Sequence, residues 1–247
     1  MTESAPPFAT EPVAPRRSLR YGPHPSQVID YYGPAGGAGR RLTVLHGGYW
    51  RERYDRSYLT PAATDLAGRG YAVALAEYRR VGGGGGVPGT FDDVAEVVRT
   101  AWDGAPQILL GHSAGGHLAL WAARRDPART TGVLAVAPLA DLTYARQTRL
   151  SDGAVDELIG PDGDPAPFDP ALLPPPPAPV VILHGTEDTD VPVEVSRRYA
   201  AARGGVLREL PGAEHFGPLT PGSASYPQLL AALAELTQGG HADGHTR

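Results

Sequence analysis

Gln107-Ile108-Leu109-Leu110-Gly111-His112-Ser113-Ala114-Gly115-Gly116-His117-Leu118-Ala119-Leu120-Trp121 is the stretch whose reading decides the fold. Gln107 to Leu110 reads as a short buried strand, and Ala114 to Arg125, with Leu118, Leu120, Trp121 and Ala122, as an amphipathic helix. Between them, Gly111-His112-Ser113-Ala114-Gly115 matches the G-x-S-x-G pattern of a nucleophile elbow. A serine held on so sharp a strand-to-helix turn needs residues without a Cβ two places before and after it. The turn pushes Oγ into the open at the head of a helix, where the N–H of Ala114 can face a developing oxyanion. A glycine-rich turn without chemistry is the competing reading. The strand–turn–helix setting favours the elbow.

Outward from the elbow, short apolar runs alternate with longer amphipathic ones. Strands are expected at Gln27 to Tyr32 (an edge strand), Arg41 to His46, Tyr71 to Tyr78, Val133 to Ala137, Val180 to Leu183 and Val206 to Leu210. Helices are expected at Thr60 to Arg69, Phe91 to Trp102, Val193 to Ala202 and Tyr226 to Leu236. Alternation of this kind predicts an α/β fold, with a mostly parallel central sheet and helices on both faces. Ligands of such sheets bind beyond the carboxyl ends of the strands. One domain is expected over residues 19–238, between a loose arm at 1–18 and a polar tail at 239–247. Asp141 to Pro179 breaks the pattern with a short helix at Asp152 to Ile159 and a Pro-rich connector, and is expected to be a short cap. The Gly82 to Gly86 run reads as a flexible loop, not as a dinucleotide fingerprint.

Composition narrows the function. The 247 residues carry 22 basic and 27 acidic side chains and no cysteine, which removes disulfides, thiolate metal sites and thiol nucleophiles. No basic patch stands out beyond Arg16-Arg17 and Arg40-Arg41, so no nucleic-acid partner is expected. With no signal-peptide core and no membrane-length apolar run, the chain is expected to be cytoplasmic and to need no membrane.

In the chain order that accompanies this elbow, an acid and then a histidine follow the serine. His215, in Gly212-Ala213-Glu214-His215-Phe216, lies beyond a strand end and suits the general base. Three acids follow the strand Val180 to Leu183: Glu187, Asp188 and Asp190. Asp188 is preferred for its place in the tight turn at the strand end. Asp190 competes, with helix capping as its alternative role, and Glu187 is expected to face solvent. A second glycine-rich loop, His46-Gly47-Gly48-Tyr49-Trp50, can bring backbone N–H groups to the oxyanion, with Tyr49 and Trp50 lining a substrate pocket. His112 and His117 are expected to pack or bond locally and His184 to support its loop. His241 and His245 lie in the tail, where a metal site is not expected. No metal or organic cofactor is expected.

With these segments in place, the chain resembles the α/β-hydrolase superfamily, in particular its esterase/lipase branch with an HGG oxyanion loop. Within that branch it is similar to the kynurenine formamidase (arylformamidase) group. The likeness rests on His46-Gly47-Gly48-Tyr49-Trp50, on Tyr21-Gly22-Pro23-His24-Pro25-Ser26-Gln27 through Tyr31-Tyr32, and on Gly111 to Leu118, and runs from about Tyr21 to Leu236. It implies a Ser113–His215–Asp188 triad and an oxyanion hole from Gly47, Gly48, Tyr49 and Ala114. It also implies an N-formylkynurenine-like aryl formamide cleaved to amine and formate through an acyl-enzyme, and it allows a homodimer. The Gly82–Gly86 run and the short Pro-rich cap depart from the group's pattern, and both are placed to shape or gate the pocket. A general short-chain carboxylesterase on the same triad is the alternative. A non-catalytic binding protein on the same scaffold is the alternative from another class.

Overall fold

The computed structural model describes residues 12–34 and 40–239. Eight strands form one sheet in the order β1-β2-β4-β3-β5-β6-β7-β8. They are β1 (Arg17–Arg20), β2 (Val28–Tyr32), β3 (Arg41–Leu45), β4 (Ala72–Ala76), β5 (Gln107–His112), β6 (Thr130–Val136), β7 (Val180–Gly185) and β8 (Val206–Leu210). β2 runs antiparallel to β1 and β4, and the remaining pairs are parallel. The helices are α1 (Thr60–Gly68), α2 (Gly89–Thr100), α3 (Ala114–Arg125), α4 (Leu142–Gln147), α5 (Ala154–Ile159), α6 (Glu194–Arg203) and α7 (Tyr226–Gly239).

The central strands are largely apolar because both faces are covered, and successive side chains serve opposite layers. Leu42, Val44, Ile108, Leu110, Leu134, Val136, Val181 and Leu183 meet α1 and α7 on one face. Leu45, Leu109, Val133, Ala135 and Ile182 meet α2, α3 and α6 on the other. Parallel register sets Leu45 beside Gly111, His112 beside Val136, and Gly185 beside Leu210. The loops leaving β3, β5, β7 and β8 therefore gather at one edge of the sheet.

The structure corrects several expectations. The segment 13–18 is docked: Val13 N–H donates to Thr60 Oγ1 (3.1 Å), and Arg17 and Ser18 belong to β1. Gln27 to Tyr32 is consequently not the edge strand, because β1 pairs outside it. Strand β1 is short and charged, with no apolar run to signal it. The rest of the expected arm, and the tail beyond residue 239, lie outside the described residues. The Gly82–Gly86 run is a hydrogen-bonded turn, with the N–H groups of Gly83 and Gly85 donating to Arg80 O at 2.9 and 2.8 Å.

The 141–179 segment adds α4, which the sequence reading did not foresee, and is fastened to the domain. His117 Nε2 contacts Phe168 O (2.8 Å), and the buried Asp169 carboxylate accepts from Thr143 N, Thr143 Oγ1 and Ala171 N. Among the described residues, no helix is long and apolar enough to cross a membrane.

Candidate active site

Ser113 sits between β5 and α3 with φ 55° and ψ −118°, a conformation that L-residues adopt only under constraint. Its backbone is held by Ser113 N–H to Val136 O (2.8 Å) and by the N–H groups of His117 and Leu139 donating to its carbonyl. A Cβ on Gly111 would lie 2.2 Å from Gly115 O, and one on Gly115 would lie 2.1 Å from Leu45 O. The first glycine lets the turn close on itself, and the second lets α3 press against β3. Ser113 Oγ is buried without a hydrogen-bond partner and lines a pocket.

Two loops bring the acid and the histidine together. Asp188 follows β7 and His215 follows β8, and Asp188 Oδ2 accepts from His215 Nδ1 at 2.6 Å. The loops touch because Gly185 has no side chain: a Cβ there would stand 2.1 Å from Ala213 O. Asp188 Oδ1 accepts the N–H groups of Asp190 (2.9 Å) and Val191 (2.8 Å). His184, whose ring contacts Ser196 Oγ and Val191 O, also approaches Asp188 Oδ2 (3.3 Å), so it braces the acid loop. Burial would raise the Asp188 pKa, but hydrogen bonds from His184 and His215 outweigh it and hold the carboxyl well below the usual range. Glu187 is exposed. Asp190 contributes its main chain to the loop and is among the residues that line the pocket.

The loop after β3 is a tight turn in which Arg51 N–H donates to Gly48 O (2.9 Å). Its central residues, Tyr49 and Trp50, have φ of 50° and 58°, as in a type I′ turn. Left-handed backbone at non-glycine residues costs about 1–2 kcal/mol each, so contacts must hold it. Tyr49 Oη donates to Asp190 O (2.6 Å), tying this loop to the acid loop, and Val81 N–H donates to Trp50 O (2.8 Å). Below it, the buried Glu77 carboxylate lies 2.7 Å from His46 Nε2 and accepts from Arg56 N–H (3.1 Å), and Arg80 pairs with it. Nothing in the sequence marked Glu77.

Two expected site residues are placed differently. Trp50 is fully buried, edge-on to the His117 ring, and does not line the pocket; the turn sends consecutive side chains to opposite sides. Gly47 gives its N–H to Tyr58 Oη (2.7 Å), so that donor is taken, while Gly48 and Tyr49 line the pocket beside Ser113. Ala114 opens α3, where a helix's first N–H groups lack intrahelical acceptors.

The pocket has a volume of about 290 Å³. Tyr49, Tyr54, Tyr58 and Phe216 supply aromatic wall, and Arg53, Asp55 and Asp190 supply polar groups. Tyr54, Tyr58, Arg53 and Asp55 carried no sequence signal; Phe216 was findable as the neighbour of His215. Neither the Gly82–Gly86 turn nor the 141–179 segment lines the cavity.

The sequence family described as serine aminopeptidase, S33, matches residues 40–156, just under half of the chain. No curated protein matches at a significant level. Among solved structures, a thioesterase described as putative from Silicibacter sp. TM1040 superposes with a TM-score of 0.70 at 23% identity, covering 89% of this chain and 86% of that one. Esterase B from Lactobacillus rhamnosis, inhibited by a tributyrin phosphonate, gives 0.71 at 19%, covering 92% and 88%. Thermogutta terrifontis esterase 2, phosphonylated by sarin, gives 0.71 at 20%, covering 89% and 92%. The chain has the α/β-hydrolase fold. The matched family and the Ser113, Asp188 and His215 geometry together support a serine hydrolase.

Proposed function

We propose that this serine hydrolase cleaves small acyl esters through an acyl-enzyme on Ser113. The observation that carries the reading is a buried, unpartnered Ser113 Oγ lining a cavity of about 290 Å³ that the Asp188-bound His215 also lines. His215 takes the Ser113 proton as Oγ attacks the carbonyl carbon. The oxyanion is received by N–H groups of Ala114 and of the Gly48–Tyr49 turn. His215, held in one ring orientation by Asp188, returns the proton to the leaving oxygen, and water then releases the acid by the same route. The volume lies at the low end for small-molecule sites and favours a short acyl chain. The esterases among the structural neighbours agree with this reading.

An aryl formamide is the second reading. It is favoured by the His46-Gly47-Gly48-Tyr49-Trp50 loop and by the aromatic wall of Tyr49, Tyr54, Tyr58 and Phe216, against which an anilide ring can stack. Both readings are tested by rates on 4-nitrophenyl acetate and on N-formylkynurenine, with Ser113→Ala as control. Ester turnover lost in the variant supports the first reading. A kcat/KM for the formamide above about 10⁴ M⁻¹s⁻¹, also lost in the variant, supports the second. Full turnover by Ser113→Ala, or no labelling of the wild type by a fluorophosphonate, excludes both.

A further inference from the structure

Two side chains at the site are not used by the triad or by the oxyanion donors, yet they join the loops that carry both. Tyr58 stands on the pocket wall, and His112 is buried immediately before Ser113. Gly47 N–H donates to Tyr58 Oη at 2.7 Å. Tyr58 Oη lies 2.7 Å from His112 Nδ1, and His112 Nε2 lies 3.2 Å from His215 O.

Proton positions along this chain follow from the chemistry of its ends. A peptide N–H can only donate, and a peptide carbonyl can only accept. His112 Nε2 therefore carries the ring proton, and Nδ1 of the neutral ring is left to accept from the Tyr58 hydroxyl. Burial, with the neighbouring His215, holds the His112 pKa well below the imidazole range, which keeps the ring neutral. The hydrogen bonds run one way: Gly47 N–H to Tyr58, Tyr58 O–H to His112, His112 N–H to His215 carbonyl. Ring packing reinforces the line, with His112 and His215 centroids 4.5 Å apart and Tyr58 edge-on to Phe216 at 5.7 Å.

We propose that Tyr58 and His112 form a positioning relay that sets the Gly47–Tyr49 turn and the His215 loop in register around Ser113, so that the pair governs turnover and not substrate binding. The inference rests on the reading of Ser113 as nucleophile. The relay is sensitive because Gly47 lies so close to the nucleophile that a Cβ on it would be 2.9 Å from Ser113 Cβ. Without the Tyr58 hydroxyl, Gly47 N–H loses its acceptor, and the neighbouring turn can tilt away from the position of the oxyanion. A donor misplaced by a fraction of an ångström is worth little in the transition state.

The test compares wild type, Tyr58→Phe, His112→Ala, His112→Asn and the double variant Tyr58→Phe/His112→Ala on 4-nitrophenyl acetate, with Ser113→Ala as blank and thermal melts alongside. Tyr58→Phe removes one hydroxyl and keeps the ring, so it carries the test even where His112 variants fold poorly. The expected result is a kcat lowered roughly 10–100-fold in Tyr58→Phe and in His112→Ala, with KM within about threefold of wild type. The double variant falls no further than the worse single one, because the pair acts as a unit. His112→Asn, which keeps an acceptor at the δ position, recovers at least about fivefold over His112→Ala. A Tyr58→Phe kcat within about twofold of an active wild type, or additive losses in the double variant, would overturn the relay alone. A wild type no faster than Ser113→Ala would overturn the hydrolase reading and the relay with it.

Discussion

At the residue scale, the proposal of Asp188 over Asp190 as the acid rests on one contact, Asp188 Oδ2 to His215 Nδ1 at 2.6 Å. Asp188→Asn keeps the shape and removes the charge that holds the ring, so kcat should fall on the order of 10³–10⁴-fold. Asp190→Asn should cost far less, since its main chain is the part that bonds to Asp188 and Tyr49. The reverse ranking in steady-state rates would transfer the acid role to Asp190. Glycines give a second contrast. Gly115→Ala puts a Cβ 2.1 Å from the backbone of β3, and the protein should lose several kcal/mol or fail to fold, within the range of severe overpacking. Gly68→Ala, in α1 with open space around it, should raise stability by about 0.5–1 kcal/mol. Chemical denaturation reads both, and equal effects would contradict the packing described for the elbow.

At the scale of elements, Arg51 ties the 141–179 segment to the loop beside the site. Arg51, which follows the Tyr49–Trp50 turn, forms a two-pronged pair with Glu157 of α5 (2.7 and 2.9 Å). It also donates to Ser151 Oγ (2.9 Å) and Ser151 O (2.7 Å). Arg149, Ser151 and Asp152, in the turn before α5, all have positive φ, so the turn depends on such contacts to hold its shape. Arg51→Met keeps the aliphatic stem and deletes the fork. Amide exchange over residues 149–159 should accelerate, and stability should fall by about 1–3 kcal/mol. Unchanged exchange there would show that α5 is held without Arg51.

For the whole molecule, acid sensitivity follows from burying imidazoles in neutral form. Burial lowers the His117 pKa to about 4 and holds that of His112 well below the free value of 6.5. Below about pH 6.5 the unfolded chain binds protons that the folded one refuses, so stability falls with pH, by about 1.4 kcal/mol per unit for each ring. Above that pH the two rings contribute no slope. Asp188 acts in the same sense but only below about pH 4, where its unfolded carboxyl takes a proton and the folded one does not. Denaturation midpoints should be flat from pH 8 to 7 and drop steadily from pH 6 to 4.5. A flat profile down to pH 4.5 would mean that these rings titrate normally.

The strand–turn–helix elbow and the parallel core of the sheet were legible in the sequence, as was the chain order of Ser113, Asp188 and His215 on which the proposed triad rests. These are written locally: Gly111 and Gly115 are needed for a turn of fixed geometry, and the runs at β3, β4, β5 and β7 are apolar because both faces of the sheet are covered. Which residues face the pocket, and what steadies them, emerged from the folded chain alone. Tyr49 lines the cavity and Trp50 does not, Gly47 N–H is taken by Tyr58, Glu77 lies under the Gly47–Trp50 loop, and Arg51 ties that loop to α5. Each of these joins residues with no shared local pattern or depends on a turn in left-handed backbone. Periodicity reports which face of a regular element is apolar. It carries no information on where an irregular loop sends each side chain once strands distant in sequence have paired.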